Sequence, residues 1–149
     1  MNGMDMATSI SIVNDVTDDL VAALHRLVPQ LTENHPPPSR TDLAALVHDQ
    51  ASTLLVARNA RGVIVGALTL AVYRVSTGVR SVIEDVVVDQ SARGQGIGEA
   101  LMRGAIELAR EKGAEGISLT SNSWREAANR LYVRMGFKKR ETNAFLISL

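Results

Sequence analysis

The sequence predicts an α/β fold in which about four helices flank one mixed, mostly antiparallel sheet. Three β-rich runs follow one another within residues 53–88, separated only by the short turns "ARG" and "STG". An amphipathic helical run at about 96–112 comes next and leads to the strand-like run "GISLT". Runs joined by tight turns pair antiparallel, whereas a strand that follows a crossover helix pairs parallel. The sheet is therefore expected to be mixed.

The first part of the chain predicts one strand and two helices. "SISIVN" at residues 9–14 alternates as a short strand does, and Thr17 is suited to cap the amphipathic run 18–28. Pro29 is expected to end that helix. After a proline-rich loop, Thr41 is expected to cap a second, short helix.

The last part predicts a helix and a final strand. Gly113 is expected to end the helical run that begins near residue 96. Ser123 and Glu126 have the spacing of a capping box, so a last helix is expected to begin there and end at Gly136. Residues 137–149 are expected to supply strand material, and Trp124 is expected to anchor the packing of the corner before the helix.

Composition limits the possible functions. A chain of 149 residues with 46% apolar content fits one domain spanning residues 1–149. Lys plus Arg and Asp plus Glu number 16 each, so no net charge attracts nucleic acid or an anionic membrane. The N-terminus lacks the basic and apolar regions of a signal, and no apolar run approaches the roughly 18 residues of a membrane span. We expect a cytoplasmic protein with neither nucleic-acid nor membrane partners.

Cysteine and histidine content argues against two further classes of site. The chain has no cysteine, which excludes disulfides, thiolate metal sites and an acyl-enzyme formed on a thiol. His25, His35 and His48 do not have the spacing of metal ligands. We therefore expect no metal cofactor.

The loop "ARGQGIG" at residues 92–98 is the strongest functional signal. It lacks the third glycine of a dinucleotide fingerprint, since Glu99 stands there, and no Gly-Lys-Ser or Gly-Lys-Thr of a P-loop occurs in the chain. Each glycine costs about 0.5 to 1 kcal/mol relative to alanine, and one would suffice for a turn. Three glycines at a helix start, with Arg93 beside them, favour a backbone site for a phosphate group.

This loop, the preceding "IEDVVV" and the later "ANRLYVRMGF" together resemble the GNAT superfamily of acetyl-CoA-dependent N-acetyltransferases. The resemblance implies that the loop holds the pyrophosphate of coenzyme A and that the strand before it bonds the pantetheine arm. It also leaves open whether Asn129 or Asn122 replaces an asparagine that many relatives have where Arg125 stands. The cofactor contacts that it implies are Val86, Val87, Val88, Arg93, Gly94, Gln95, Gly96, Ile97, Gly98 and Asn129.

Transfer of an acetyl group to an amine calls for a base and an acid. An alkylamine titrates near 10.4, so a base that removes its proton assists attack on a thioester. Glu84 and Asp85 are candidates, and Glu84 is preferred because it shares parity with Val86 and Val88 along an ideal strand. A structural role for this carboxylate, or a water as the base, stays open. The resemblance makes Tyr132 the acid that protonates the leaving thiolate.

The sequence leaves the acceptor open. "IEDVVV" is similar to glucosamine phosphate N-acetyltransferases, yet small amines, amino acids, peptide N-termini and protein lysines all remain, as does an acyl group longer than acetyl. The assembly state is open too, a homodimer included. The alternative to an enzyme is a non-catalytic acyl-CoA-binding regulatory module. Tyr132 and the two carboxylates favour an enzyme that transfers the acetyl group directly in a ternary complex.

Overall fold

The computed structural model describes residues 8–149, so part of the N-terminal segment that was searched for a targeting signal lies outside it. The chain divides into two compact units, residues 1–119 and 120–149, here called the first and second units. The strands are β1 (Ser9–Ile12), β2 (Ser52–Arg58), β3 (Ile64–Val75), β4 (Gly78–Val88) and β5 (Ile117–Ser118). The helices are α1 (Asp18–Leu31), α2 (Arg40–Val47), α3 (Ile97–Glu111) and α4 (Glu126–Arg134), and a single 3₁₀ turn covers Gln90–Ala92.

The first unit contains one five-stranded open sheet in the order β1-β2-β3-β4-β5. β1 to β4 pair antiparallel with their neighbours. After the crossover through α3, β5 pairs parallel with β4, with Ser81 opposite Ile117. The predicted fold class, an α/β fold with a mixed and mostly antiparallel sheet and four helices, is therefore confirmed in the described part of the chain; three of the helices lie in the first unit and α4 lies in the second.

Helices cover both faces of this sheet. On one face, Leu20, Leu24 and Leu27 of α1 pack in a core that also contains Ala67 of β3 and Val87 of β4. On the other face, the apolar stripe of α3 is buried, and its Leu101 has no exposed surface. Gly66 of β3 allows this close packing, because a Cβ there would lie 3.0 Å from Leu101 Cδ1 and 3.2 Å from Ile97 Cγ2.

Two predicted helix ends of the first unit are confirmed and two are corrected. Gly113 follows the end of α3 with φ 78°, as predicted. Thr17 caps α1, since its hydroxyl accepts a hydrogen bond from the Leu20 amide at 3.2 Å. Pro29 does not end α1, which continues to Leu31; in the last turn a proline removes only one helical hydrogen bond, and the Thr32 amide closes the helix on Val28. Thr41 does not cap α2, because Ser39 forms a reciprocal capping box with Asp42.

The second unit differs from its prediction at both ends. The Arg125 amide bonds to the Asn122 carbonyl, and this turn delays α4 until Glu126, so Ser123 does not cap it. No strand forms within residues 137–149. The side chains of Phe145, Leu146 and Ile147 are exposed. These consecutive apolar residues suit a strand, but a strand requires a hydrogen-bonding partner, which local sequence does not provide.

Within residues 8–149, no helix has the length and apolar character required to cross a lipid bilayer.

Candidate active site

The second half of β4 presents a free backbone edge within the first unit. β4 pairs with β3 as far as Val88, but it pairs with β5 only at Ser81 and Val82. Beyond Val82, no strand in the described part of this unit pairs with the outer edge of β4. An unpaired strand edge exposes amide and carbonyl groups that an extended ligand can bond. The residues predicted to bond the pantetheine arm, Val86, Val87 and Val88, lie on this stretch.

A β-bulge interrupts the pairing of β4 with β3 on the same stretch. Glu84 lies opposite Thr69 and Val87 lies opposite Ala67, so two residues of β4 face the single residue between them on β3. Asp85, one of these two, has a left-handed backbone with φ 55°, which is uncommon for a residue with a side chain. A bulge changes the direction in which the following side chains and amides point.

The bulge overturns the reason for preferring Glu84 as the base. The parity argument places Glu84 on the face of Val88, but the observed register places it on the face of Thr69, Ala67 and Val87. This face carries α1 and α2. The side chains of Glu84 and Asp85 are both exposed, so both carboxylates are accessible to an acceptor.

The loop after β4 forms an open cradle of backbone. Arg93 is exposed, and its Nε donates to the Val88 carbonyl at 3.1 Å. Gly94 and Gly96 both have φ 78°, and a Cβ at either position would meet no atom within 4 Å. Gln95, between them, is exposed, whereas Ile97 is buried and fixes the start of α3 against the sheet.

The start of α3 is suited to bind an anion. No side chain caps this helix, and its first N–H groups have no partners within the helix. These groups carry the positive end of the helix dipole, which favours phosphate groups. The open space beside Gly94 and Gly96 allows a phosphate to approach the backbone, so the residues present fit the pyrophosphate of coenzyme A.

The glycines of this loop serve two different needs. Gly94 and Gly96 adopt left-handed backbone, so the turn itself accounts for both, and the sequence argument that one glycine would suffice is wrong. Gly98 lies inside α3 and is not among the residues with positive φ. Its backbone conformation does not require glycine, although glycine weakens a helix by about 1 kcal/mol relative to alanine. A requirement for close approach at this position, by a ligand or by neighbouring protein atoms, would account for it.

The second unit holds Tyr132 in a buried position on α4. Its ring packs edge to face against Phe137, with centroids 6.0 Å apart. Burial raises the pKa of the Tyr132 hydroxyl, although the positive charge of Arg125 acts in the opposite direction. The hydroxyl therefore carries its proton at neutral pH, as an ordinary phenol does, and the raised pKa makes it a weaker acid than a free phenol.

Two other residues of the second unit have local environments that bear on the predictions. Asn129 donates through Nδ2 to the Asn122 carbonyl at 3.1 Å and so ties α4 to the loop before it. Trp124 is 73% exposed, so the prediction that it anchors packing is wrong. Trp124 precedes α4, which begins two residues later, so its indole is not part of the buried face of that helix.

Asp89 was not among the predicted site residues, and neither were Arg26 and Gln30 of α1, which contact Asp89 and Gln90. Asp89 caps the 3₁₀ turn that leads into the glycine loop, accepting from the Ser91 amide at 3.1 Å. The Asp-x-Ser spacing is a signal for this cap. Its other partner, Arg26, is 63 residues away in the chain, and no local pattern indicates that contact.

Comparison with known proteins identifies the class. The model of the acetyltransferase (GNAT) family matches residues 20–137, across both units. The chain therefore belongs to the GNAT family, as its sequence motifs predict, and it is an acyltransferase. Membership implies acetyl-CoA as the cosubstrate.

Three relatives illustrate the similarity. The chain is 35% identical over 122 residues to glucosamine 6-phosphate N-acetyltransferase of Trypanosoma brucei brucei, covering 77% of this chain and 80% of that protein. It is 44% identical over 57 residues to aminoalkylphosphonate N-acetyltransferase of Salmonella typhimurium, covering 38% of this chain and only 37% of that protein. An aminoglycoside acetyltransferase from an uncultured soil metagenomic sample, solved with sisomicin, superposes with a TM-score of 0.85 over 98% of this chain and 99% of that one. At 22% identity, this last likeness concerns the fold alone.

Proposed function

We propose that the protein transfers an acetyl group from acetyl-CoA to the primary amine of a small molecule, by direct attack while both substrates are bound. The glycine loop at the uncapped start of α3 carries this proposal, because it offers backbone amides and Arg93 to a pyrophosphate. The free edge of β4 beyond Val82 offers amides and carbonyls to the pantetheine arm. Both features lie in the first unit.

The bulge in β4 supports a role in stabilising charge. When an amine attacks the thioester, negative charge develops on the carbonyl oxygen, and a preorganised amide lowers the barrier. At a bulge, the extra residue leaves the regular ladder, so the amides of Asp85 and Val86 are candidates for this contact. A left-handed Asp85 within a strand costs free energy, which agrees with a functional constraint.

The proton transfers are assigned to three side chains. Glu84 or Asp85, or a water held by one of them, takes the proton from the attacking amine. Tyr132 gives a proton to the departing thiolate of coenzyme A, the role that the motif "ANRLYVRMGF" implies through its resemblance to the family. Since the chain has no cysteine, no thiol of the enzyme carries the acetyl group. Initial-rate plots should therefore intersect, whereas parallel lines with a trapped acetyl-enzyme would contradict direct transfer.

The acceptor is proposed to be a small amine in preference to a protein lysine. The two relatives similar in sequence are named for a sugar amine phosphate and an aminoalkylphosphonate, both of which are small molecules. A screen should compare these two classes and aminoglycosides with amino acids and a lysine-containing peptide. Release of coenzyme A thiol provides the signal, and the protein adds no background because it has no thiol.

The screen distinguishes the proposal from its alternative. Turnover with any small amine, with little or none on the peptide, supports the proposed activity. Turnover on the peptide alone would move the acceptor to protein amines. Tight binding of acetyl-CoA without turnover of any amine would favour the regulatory module.

A further inference from the structure

Asp89 joins the end of β4, the start of β3 and the turn that leads into the glycine loop. Its amide donates to the Val65 carbonyl at 2.8 Å. Its carboxylate oxygen Oδ1 accepts from the amide and the hydroxyl of Ser91, at 3.1 and 3.0 Å. Its carbonyl accepts from the Ala92 amide at 2.8 Å. The position of Asp89 therefore determines where the loop at residues 93–98 begins.

Two side chains of α1 form hydrogen bonds with Asp89 and with Gln90, the residue that follows it. Arg26 donates through Nε to Asp89 Oδ2 at 3.1 Å and through Nη2 to the Ile64 carbonyl at 2.6 Å. Gln30, one turn further along, accepts from the Gln90 amide at 2.8 Å. The same Gln30 donates to the backbone carbonyl of Arg26, one turn back in α1, at 3.2 Å. The two side chains therefore hold adjacent residues of the chain, Asp89 and Gln90.

The network is sheltered enough to have an energetic effect. The Asp89 side chain is only 14% exposed and that of Arg26 is 42% exposed, so the ion pair is less screened than one in open solvent. The Nε and Nη2 groups of Arg26 donate to separate acceptors. A planar guanidinium reaches two such acceptors better than an ammonium does. Loss of Arg26 would leave the Asp89 carboxylate half-buried without its ion-pair partner.

We propose that Arg26 and Gln30 are positioning residues for the coenzyme A loop, acting through Asp89 and Gln90. This inference rests on the proposed function, since it assumes that the loop binds coenzyme A. Neither side chain has to touch the cofactor. They fix the 3₁₀ turn, and the turn sets the direction in which the loop amides and the start of α3 point. Small displacements of binding groups by remote residues weaken binding without destroying the site.

The test compares Arg26 with an arginine in a matched environment. Arg58 donates to Asp19 Oδ2 and to the Gly62 carbonyl, both at 2.7 Å, so it also joins a carboxylate and a backbone carbonyl. Arg58 lies on β2, and none of its described partners belongs to the loop. The variants are Arg26→Gln, Gln30→Ala and Arg58→Gln, with Arg26→Lys as a conservative rescue. Each is measured for Tm, for the Kd of coenzyme A by calorimetry, and for KM and kcat with acetyl-CoA.

We expect Arg26→Gln to weaken coenzyme A binding about tenfold and to raise the KM of acetyl-CoA similarly, with kcat nearly unchanged. Arg26→Lys should recover part of the affinity. Arg58→Gln should lower Tm to a comparable extent and leave the Kd as in the wild type. Gln30→Ala removes one neutral contact and should weaken binding about threefold, so it carries the test if Arg26→Gln does not fold.

Equal Kd values for Arg26→Gln, Gln30→Ala and the wild type would overturn the inference, and so would an equal loss of affinity in Arg58→Gln. Failure of the proposed function gives a different result, because the wild type itself would then not bind coenzyme A.

Discussion

Glu84 and Val87 lie on the same face of β4, although they are three positions apart in the chain. Residues on one face of a regular strand are an even number of positions apart. Glu84 lies opposite Thr69 and Val87 lies opposite Ala67, and these two partners are two positions apart on β3. The bulge between them adds one residue to β4 and reverses the order of the faces beyond it.

The bulge predicts how Asp85 tolerates substitution. Asp85 has φ 55°, so Asp85→Val places a β-branched residue in left-handed backbone and should lower the free energy of unfolding by about 1 to 3 kcal/mol. Asp85→Gly should cost little, because glycine accepts this conformation. Urea unfolding measures both variants. Glu84→Val is the control, since Glu84 does not have positive φ, and equal losses at both positions would contradict the strain.

The glycine loop predicts stabilisation by acetyl-CoA. At a hundredfold excess over its Kd, a ligand that binds only the folded state stabilises it by about 2.7 kcal/mol, and thermal unfolding should show this shift. NADH and ATP should have much smaller effects. Gly98→Val should remove the acetyl-CoA shift, because a branched side chain occupies the approach to the start of α3. Gly116→Ala is the control, since a Cβ there meets no atom within 4 Å. An unchanged shift in Gly98→Val would exclude a close approach of acetyl-CoA to Gly98.

Removal of the Tyr132 hydroxyl should affect turnover more than binding. Tyr132→Phe keeps the ring that packs against Phe137, so the fold of the second unit should persist. If Tyr132 protonates the thiolate, kcat should fall about 10²-fold while the affinity for acetyl-CoA stays nearly constant. Full turnover at saturating substrate would refute the role. Tyr73→Phe, a change at the other tyrosine of the chain, is the control.

The pH profile should identify the base. If Glu84 takes the proton of the amine, kcat/KM falls at low pH as Glu84 becomes protonated, and Glu84→Gln should lower the rate and flatten this acidic limb. Asp85→Asn is the matched variant, because both carboxylates are exposed beside the bulge. A flattened limb in Asp85→Asn alone would make Asp85 the base. An unchanged limb in both variants would indicate a water.

Asp89 should make the free energy of unfolding depend on pH in the acidic range. Burial alone would raise the pKa of its carboxyl, but hydrogen bonds from Ser91 and Arg26 outweigh burial and lower that pKa. Because its pKa is lower in the folded state, the Asp89 carboxylate stabilises the fold at pH values above its unfolded-state pKa of about 3.9. This stabilisation is lost as the pH falls through the folded-state pKa. Asp89→Asn should therefore lose less stability than the wild type between neutral pH and about pH 3. Parallel acid unfolding curves would contradict this.

The sequence alone determined the strands and most helix limits of the first unit, together with the family. These features depend on local patterns: β-rich runs bounded by short turns for β2 to β4, a cap at Thr17, an apolar stripe on α3 and glycines at its start. Such signals are readable because they arise from neighbours within a few residues, where backbone geometry fixes which side chains share a face.

Tertiary structure decided the features that depend on distant partners. The bulge at Asp85 exists because β3 and β4 pair in a shifted register. The ion pair between Arg26 and Asp89 forms because α1 packs where Arg26 can reach Asp89. The predicted final strand shows the converse, since residues 137–149 were expected to supply strand material but no strand forms there. Local sequence sets what a segment can form, whereas pairing and packing across the fold decide what it does form, because the hydrogen bonds and buried surface come from elsewhere in the chain.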